Sequence, residues 1–129
     1  MRDHVEIKSG TFEAHFFLTA LERFRLSKLK KLFQLTASDP WGNAQAIEAI
    51  RLYISDAIPA AQEEMRAAAR AYEGGWRKVD KPRSRKPDVV KQLKINEELT
   101  TAFKKAKARY ERLLKIRTLY DETIGDTKH

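Results

Sequence analysis

The chain has 129 residues, of which 42% are hydrophobic and 34% are charged, with only 5 glycines and 4 prolines. This composition is too apolar for a disordered chain and too poor in backbone breakers for an all-β fold, so it favours an all-α fold in a single domain over residues 1–129. The absence of cysteine excludes disulfide bonds, thiolate metal sites and cysteine nucleophiles.

The formal net charge is +8, and it is unevenly distributed. Residues 1–35 carry 7 basic and 4 acidic side chains, whereas residues 36–75 carry 3 basic and 6 acidic ones. Residues 76–129 carry 16 basic and 8 acidic side chains. A polyanion is therefore expected to bind this C-terminal region.

The first helix is predicted at about residues 11–35. Ser9, Gly10 and Thr11 are typical of a helix start, and apolar residues between Ala14 and Leu35 then recur at 100° per residue. Further phenylalanines and leucines lie off that face. The helix is therefore apolar on nearly all sides, which places it in the core or at a subunit interface.

A second helix is predicted at about residues 40–73. Asp39 can cap free backbone N–H groups, and Pro40 suits the first helical position. The apolar stripe keeps one phase through Pro59, which indicates one long helix kinked at this residue. The pair Gly74-Gly75 ends the helix.

Residues 76–87 contain two prolines and 6 basic residues against 1 acidic residue, a composition typical of an extended basic connector. Asn96, which precedes two glutamates, indicates a cap that divides a short helix at about 88–95 from a long one at about 96–124, although one unbroken helix also fits. The fold is thus predicted to be a bundle of three to four helices. The last helix also fits a coiled-coil heptad, whose seam would comprise Leu99, Phe103, Ala106, Tyr110, Leu113, Arg117, Tyr120 and Ile124.

No catalytic or metal-binding pattern is evident in the sequence. The histidines His4, His15 and His129 form no HExxH pair and share no helical face with another metal-ligand candidate. Adjacent glutamates on a helix point about 100° apart, so they cannot act together as acid and base. The sequence therefore predicts a protein that is not an enzyme and has neither metal site nor cofactor.

The basic residues favour a phosphate-binding role. Residues 104–117 include 7 basic side chains and a single acidic one, so most of these charges lack an i, i+4 partner. A lysine-rich face that serves only solubility is the alternative. The predicted nucleic-acid contacts lie in the connector and on the last helix, and they are Lys78, Lys81, Arg83, Arg85, Lys86, Lys104, Lys105, Arg109, Arg112 and Lys115.

The connector segment Pro82-Arg83-Ser84-Arg85-Lys86-Pro87 resembles a degenerate AT-hook, in which arginines surround a glycine between prolines. Ser84 replaces that glycine, and Lys86 is inserted. The resemblance implies contact with the DNA minor groove, whereas the residue types alone indicate generic phosphate contact.

The sequence thus predicts a non-enzymatic basic helical protein that binds DNA or RNA through phosphates, as part of a nucleoprotein assembly. The alternative is a structural or adaptor protein that oligomerises or binds another protein through its helices. The predicted oligomer interface comprises Phe103, Tyr110, Leu113 and Tyr120.

The N-terminal residues mix charges where a secretory signal needs an apolar core, and no stretch reaches the ~18 apolar residues of a membrane span. We therefore expect a cytoplasmic protein without membrane contact.

Overall fold

The computed structural model describes residues 3–79 and 86–125. These residues form a β-hairpin, a short 3₁₀ helix and three α-helices. In chain order the elements are β1 (His4–Ser9), β2 (Phe12–Phe17), the 3₁₀ helix (Leu18–Glu22), α1 (Leu26–Ser38), α2 (Ala44–Gly75) and α3 (Pro87–Thr123). The protein is mostly helical with a long C-terminal helix, but the prediction of an all-α fold is wrong because of the hairpin.

The hairpin replaces the first half of the helix predicted at 11–35. In β1, Val5 and Ile7 are buried while the residues between them are exposed, which is the two-residue period of a half-buried strand. Ser9 pairs with Phe12 across a two-residue loop whose first residue, Gly10, has φ 59°. This backbone conformation suits glycine in a tight hairpin turn. The Ser9-Gly10-Thr11 segment is therefore a hairpin turn and not a helix start.

The second helix begins four residues later than predicted. Asp39 does act as a local cap, because its Oδ1 accepts a hydrogen bond from the Gly42 backbone N–H at 3.0 Å. The residues that follow Asp39 form a turn, and α2 starts at Ala44. Pro59 lies inside α2, so the prediction of one helix through this proline is confirmed.

Asn43, just before α2, joins the hairpin to the helices. Its Oδ1 accepts from the Lys8 backbone N–H at 2.9 Å, and its Nδ2 donates to the Lys8 carbonyl at 2.8 Å. Nδ2 also donates to the carbonyl of Thr36 at 3.2 Å. The buried amide therefore satisfies backbone groups of both β1 and α1.

The chain divides into two compact units. The first comprises Met1–Ile58 and Arg112–His129, and the second comprises Pro59–Glu111. The core of the first unit draws on the hairpin, the 3₁₀ helix and all three α-helices. Its fully buried apolar side chains are Ile7, Leu21, Leu29, Phe33, Ile50, Leu113, Ile116 and Ile124.

The second unit contains the later part of α2 and the earlier part of α3. The Tyr72 ring lies 6.0 Å from the Trp76 ring and 6.2 Å from the Phe103 ring, measured between centroids. Gly75 permits close packing, because a Cβ built there would lie 2.8 Å from the Leu99 Cδ1 atom. Aromatic stacking and a close glycine contact therefore hold this unit together.

Helix α3 is continuous from Pro87 to Thr123, so the predicted division into helices 88–95 and 96–124 is wrong and the unbroken alternative holds. Asn96 does not cap a helix. Its Oδ1 accepts from the Arg77 backbone N–H at 3.0 Å and from Gln92 Nε2 at 2.8 Å, and its Nδ2 donates to the Arg77 carbonyl at 2.6 Å. Asn96 thus fixes the segment that follows α2.

Candidate functional site

The basic residues predicted on α3 do not share one environment. Lys104, Lys105 and Lys115 are exposed, whereas Arg109 and Arg112 are partly buried. Lys104, Lys105 and Arg109 belong to the second unit, and the other two belong to the first. The structure therefore does not support treating the five residues as a single face.

Arg112 has a structural role within the first unit. Its guanidinium donates hydrogen bonds to the backbone carbonyls of Glu22 and Phe24. These carbonyls lie where the 3₁₀ helix ends and leaves acceptors without helical partners. A cation at a helix C-terminus is also electrostatically favourable. The guanidinium that the sequence predicts as a phosphate contact is therefore bonded within the first unit.

The apolar stripe predicted for the last helix differs from the face that α3 buries in the first unit. This difference explains why Arg112 is predicted as a basic surface residue. In the first unit Leu113, Ile116 and Tyr120 are buried, and Ile116 lies outside the stripe predicted from the sequence. Arg112 is only about 40° from Ile116 around the helix axis, so it borders the core. Arg117, the one charged residue of the predicted heptad seam, is exposed.

Arg109 forms an ion pair with Glu64, with Nη1 3.1 Å from Oε2. Both side chains belong to the second unit, and both are more than one-third exposed. Exposed ion pairs contribute at most about 1 kcal/mol to stability, so this pair is a weak structural contact. The acidic partner of Arg109 therefore comes from α2 and not from the i, i+4 positions of its own helix.

The basic connector is only partly within the described residues. Lys78 and Lys86 are exposed at its two described ends. Lys81, Arg83 and Arg85 lie outside the described residues, as does most of the segment that resembles an AT-hook.

Three exposed lysines of the second unit were not predicted as site residues, namely Lys91, Lys94 and Lys107. On the continuous helix α3, Lys91, Lys94 and Lys105 fall within about 60° of one another around the axis, and this group is called the lysine stripe below. Glu98 lies within the same sector. An angular plot of one helix over 87–123 would have found the stripe, but the assumed break at Asn96 separated its members.

The second unit carries most of the net charge. Its sequence contains 14 basic and 8 acidic side chains, a net charge of +6, against 12 basic and 10 acidic side chains in the first unit. In the part of the chain that the structure describes, no ion pair involves Lys94, Lys104 or Lys105. Their ammonium groups are therefore available to an external anion.

The residues predicted for an oligomer interface are largely used within the chain. Leu113 and Tyr120 are 1% and 5% exposed, so the prediction that they face a second copy is wrong. Phe103 packs near Tyr72, and Tyr110 is partly buried. The most exposed aromatic side chains are instead Trp41 at 87% and Phe17 at 62%, among the described residues.

The Tyr120 ring packs edge-on against Phe33, with centroids 6.2 Å apart. Among the described residues its buried hydroxyl has no hydrogen-bond partner. Burial raises the pKa of Tyr120 above its ordinary value, because the phenolate would lose its hydration.

A cluster of histidine and carboxylate side chains lies on the exposed face of the hairpin. His4, Glu6 and His15 each offer one ligand atom, and these atoms lie within 4.8 Å of one another. The His4 and His15 rings stack with centroids 5.5 Å apart. The sequence pattern could not reveal this cluster, because a helical assignment from residue 11 separates residues that a hairpin brings together.

A groove of about 560 Å³ lies beside this cluster, between β1 and the start of α2. His4, Glu6 and Lys8 line one side of it, and Gln45 and Ala49 line the other. Two residues of the cluster, His4 and Glu6, therefore also line the groove.

No protein-family model, curated protein or solved structure matches this chain. Within the described residues, no helix is long and apolar enough to span a membrane. Functional inference therefore rests on the residues and contacts described above.

Proposed function

We propose that the protein binds nucleic acid without sequence selectivity, through phosphate contacts made by the second unit. The observation that carries the proposal is the net charge of +6 on this unit, together with exposed lysines on α3. Lysine ammonium groups bind phosphates as point charges, and phosphate contacts carry no sequence information. The proposed role is therefore backbone binding in a nucleoprotein assembly, with no catalytic step.

The proposed surface differs from the predicted set. It retains Lys78, Lys86, Lys104 and Lys105, and it adds Lys91 and Lys94 from the lysine stripe. From Lys91 to Lys105 the helix rises about 21 Å, a length that covers several phosphates along one strand. Arg112 and Lys115 are left out, because they belong to the first unit.

The test is the salt dependence of binding to unrelated DNA and RNA, measured by fluorescence anisotropy. Four to six neutralised phosphates on duplex DNA give a slope of log K against log salt of about −4 to −5. The triple variant Lys94→Ala, Lys104→Ala and Lys105→Ala should flatten this slope by about 2.5 to 3, and it should weaken all sequences alike.

A matched control removes the same charge from the first unit. Lys30, Lys31 and Arg117 are exposed there, and their joint replacement by alanine should leave the slope unchanged. Equal effects of the two triple variants would assign binding to net charge and not to the second unit. Failure of the parent to bind DNA or RNA at low salt would refute the proposal.

The second candidate is an adaptor role in which the protein associates with itself or another protein. The exposed aromatic residues Trp41 and Phe17 favour it, because large apolar side chains on a surface commonly mark interaction sites. Sedimentation of the parent and of Trp41→Ala at tens of micromolar tests self-association. A monomeric parent would leave only a foreign partner for this candidate.

A further inference from the structure

The strand register places three metal-ligand side chains on one face of the hairpin. Glu6 lies directly opposite His15, and His4 precedes Glu6 by two residues on the same side of β1. All three side chains are exposed, whereas the alternate residues Val5 and Ile7 point into the core. The face is therefore set by hairpin pairing and is accessible to an ion.

The distances are close to those of a coordination sphere. Nδ1 of His15 lies 3.4 Å from Oε1 of Glu6. Ligand atoms at 2.0–2.1 Å from a tetrahedral zinc ion are about 3.3 Å apart. His4 also offers a ligand atom, and one ligand atom from each of the three side chains lies within 4.8 Å of the other two.

Glu13 supplies the outer hydrogen bond that metal-bound histidines usually have. Its Oε1 lies 3.0 Å from Nε2 of His15, the ring nitrogen on the opposite side from Glu6. Of the two carboxylates, Glu13 is the nearer to a ring nitrogen, and its position favours a proton on Nε2 and a lone pair on Nδ1. The arrangement therefore orients His15 to bind a cation through Nδ1.

We propose that His4, Glu6 and His15 bind a divalent transition-metal ion of the zinc type, with Glu13 as a positioning residue. Two imidazoles and one carboxylate favour Zn²⁺, Ni²⁺ or Cu²⁺ over Mg²⁺ and Ca²⁺, which prefer oxygen ligands only. Glu6 and Glu13 provide two negative charges on this face, against the single positive charge of Lys8 opposite Glu13. Three protein ligands leave a fourth position for water or an external ligand. This site is independent of the nucleic-acid surface.

The experiment is calorimetric titration of the untagged full chain with zinc chloride, and separately with magnesium chloride. The expected result is one zinc ion per chain and no magnesium binding. His4→Ala and His15→Gln should each abolish zinc binding, and Glu13→Gln should weaken it by about 10-fold to 100-fold. His129→Ala is the matched control, because it removes the chain's remaining histidine, and it should bind like the parent.

Because the ligand side chains are exposed, circular dichroism should show that the variants remain folded. A change in zinc affinity can then be assigned to the loss of a ligand. Zinc binding by His15→Gln at the parent's affinity, loss of binding in His129→Ala, or equal binding of magnesium would overturn the site. Nitrogen-15 spectra of the histidine rings should show zinc on Nδ1 of His15. Coordination through Nε2 would overturn the assignment of Glu13 as the positioning residue.

Discussion

Replacing Arg112 with alanine should destabilise the fold more than any single replacement of an exposed lysine. The guanidinium bonds two backbone carbonyls, those of Glu22 and Phe24, near the end of the 3₁₀ helix. Hydrogen bonds to a charged group contribute about 1.5–3 kcal/mol each, and partial exposure of Arg112 lowers the sum, so we expect a loss of about 2–4 kcal/mol. For a chain of this length, that loss lowers the melting temperature by about 7–15 °C.

Thermal and urea unfolding followed by circular dichroism measure this change. Arg112→Lys should recover only part of the stability, because an ammonium cannot reproduce the two-pronged geometry of a guanidinium. Lys105→Ala on the same helix is the control, and it should change stability by no more than about 0.5 kcal/mol. The reasoning is refuted if Arg112→Ala unfolds at the same temperature as Lys105→Ala.

Three further predictions concern local contacts. Gly10→Ala should lower the free energy of unfolding by about 1–2 kcal/mol, because the φ of 59° at this position is unfavourable for alanine. Gly74→Ala should raise it by about 0.5–1 kcal/mol, because Gly74 lies in a helix and a Cβ there meets no atom within 4 Å. Equal effects of the two variants in urea unfolding would contradict this contrast. Tyr120→Phe should raise stability by about 1 kcal/mol, since it removes a buried hydroxyl without a described partner. Because the pKa of Tyr120 is raised in the folded protein, the folded chain keeps this proton at a pH where the unfolded chain has lost it. Stability should therefore fall as the pH rises above about 10. Thermal unfolding measured from pH 8 to pH 11 should show a smaller fall for Tyr120→Phe. Asn96→Ala should cost about 2 kcal/mol, because the backbone N–H and carbonyl of Arg77 lose their partner, and an unchanged urea midpoint would contradict this.

The long helices were predictable because their apolar residues repeat at the helical period over many turns. The hairpin was not, because each strand has only six residues and the first lies before the assumed helix start. Ser9, Gly10 and Thr11 can begin a helix or turn a hairpin, and the alternation of Val5 and Ile7 decides between these readings. Phe12 and Phe16 lie off the apolar face of the predicted helix, whereas in the hairpin they share the side of Val5 and Ile7, so they also indicate a strand.

The sequence predicted which region of the chain is positively charged, but it did not predict how the basic side chains are arranged in space. A count of basic residues identified the excess of positive charge in the C-terminal region. It could not show that Arg112 bonds backbone carbonyls or that Arg109 pairs with Glu64, because both contacts join residues at least 45 positions apart. The histidine cluster depends on strand register in the same way. Local patterns report the periodicity of a segment, whereas these contacts depend on how distant segments meet.

The amide of Asn43 has a consequence for the solubility of the protein. A two-stranded sheet has two open edges, and an open edge can pair with a strand of another molecule and so begin aggregation. At Lys8, Asn43 occupies both the backbone donor and the backbone acceptor that such a strand would use. One helix-flanking side chain thus blocks intermolecular strand addition at that position, and the charges of Glu6 and Lys8 further disfavour an incoming apolar strand.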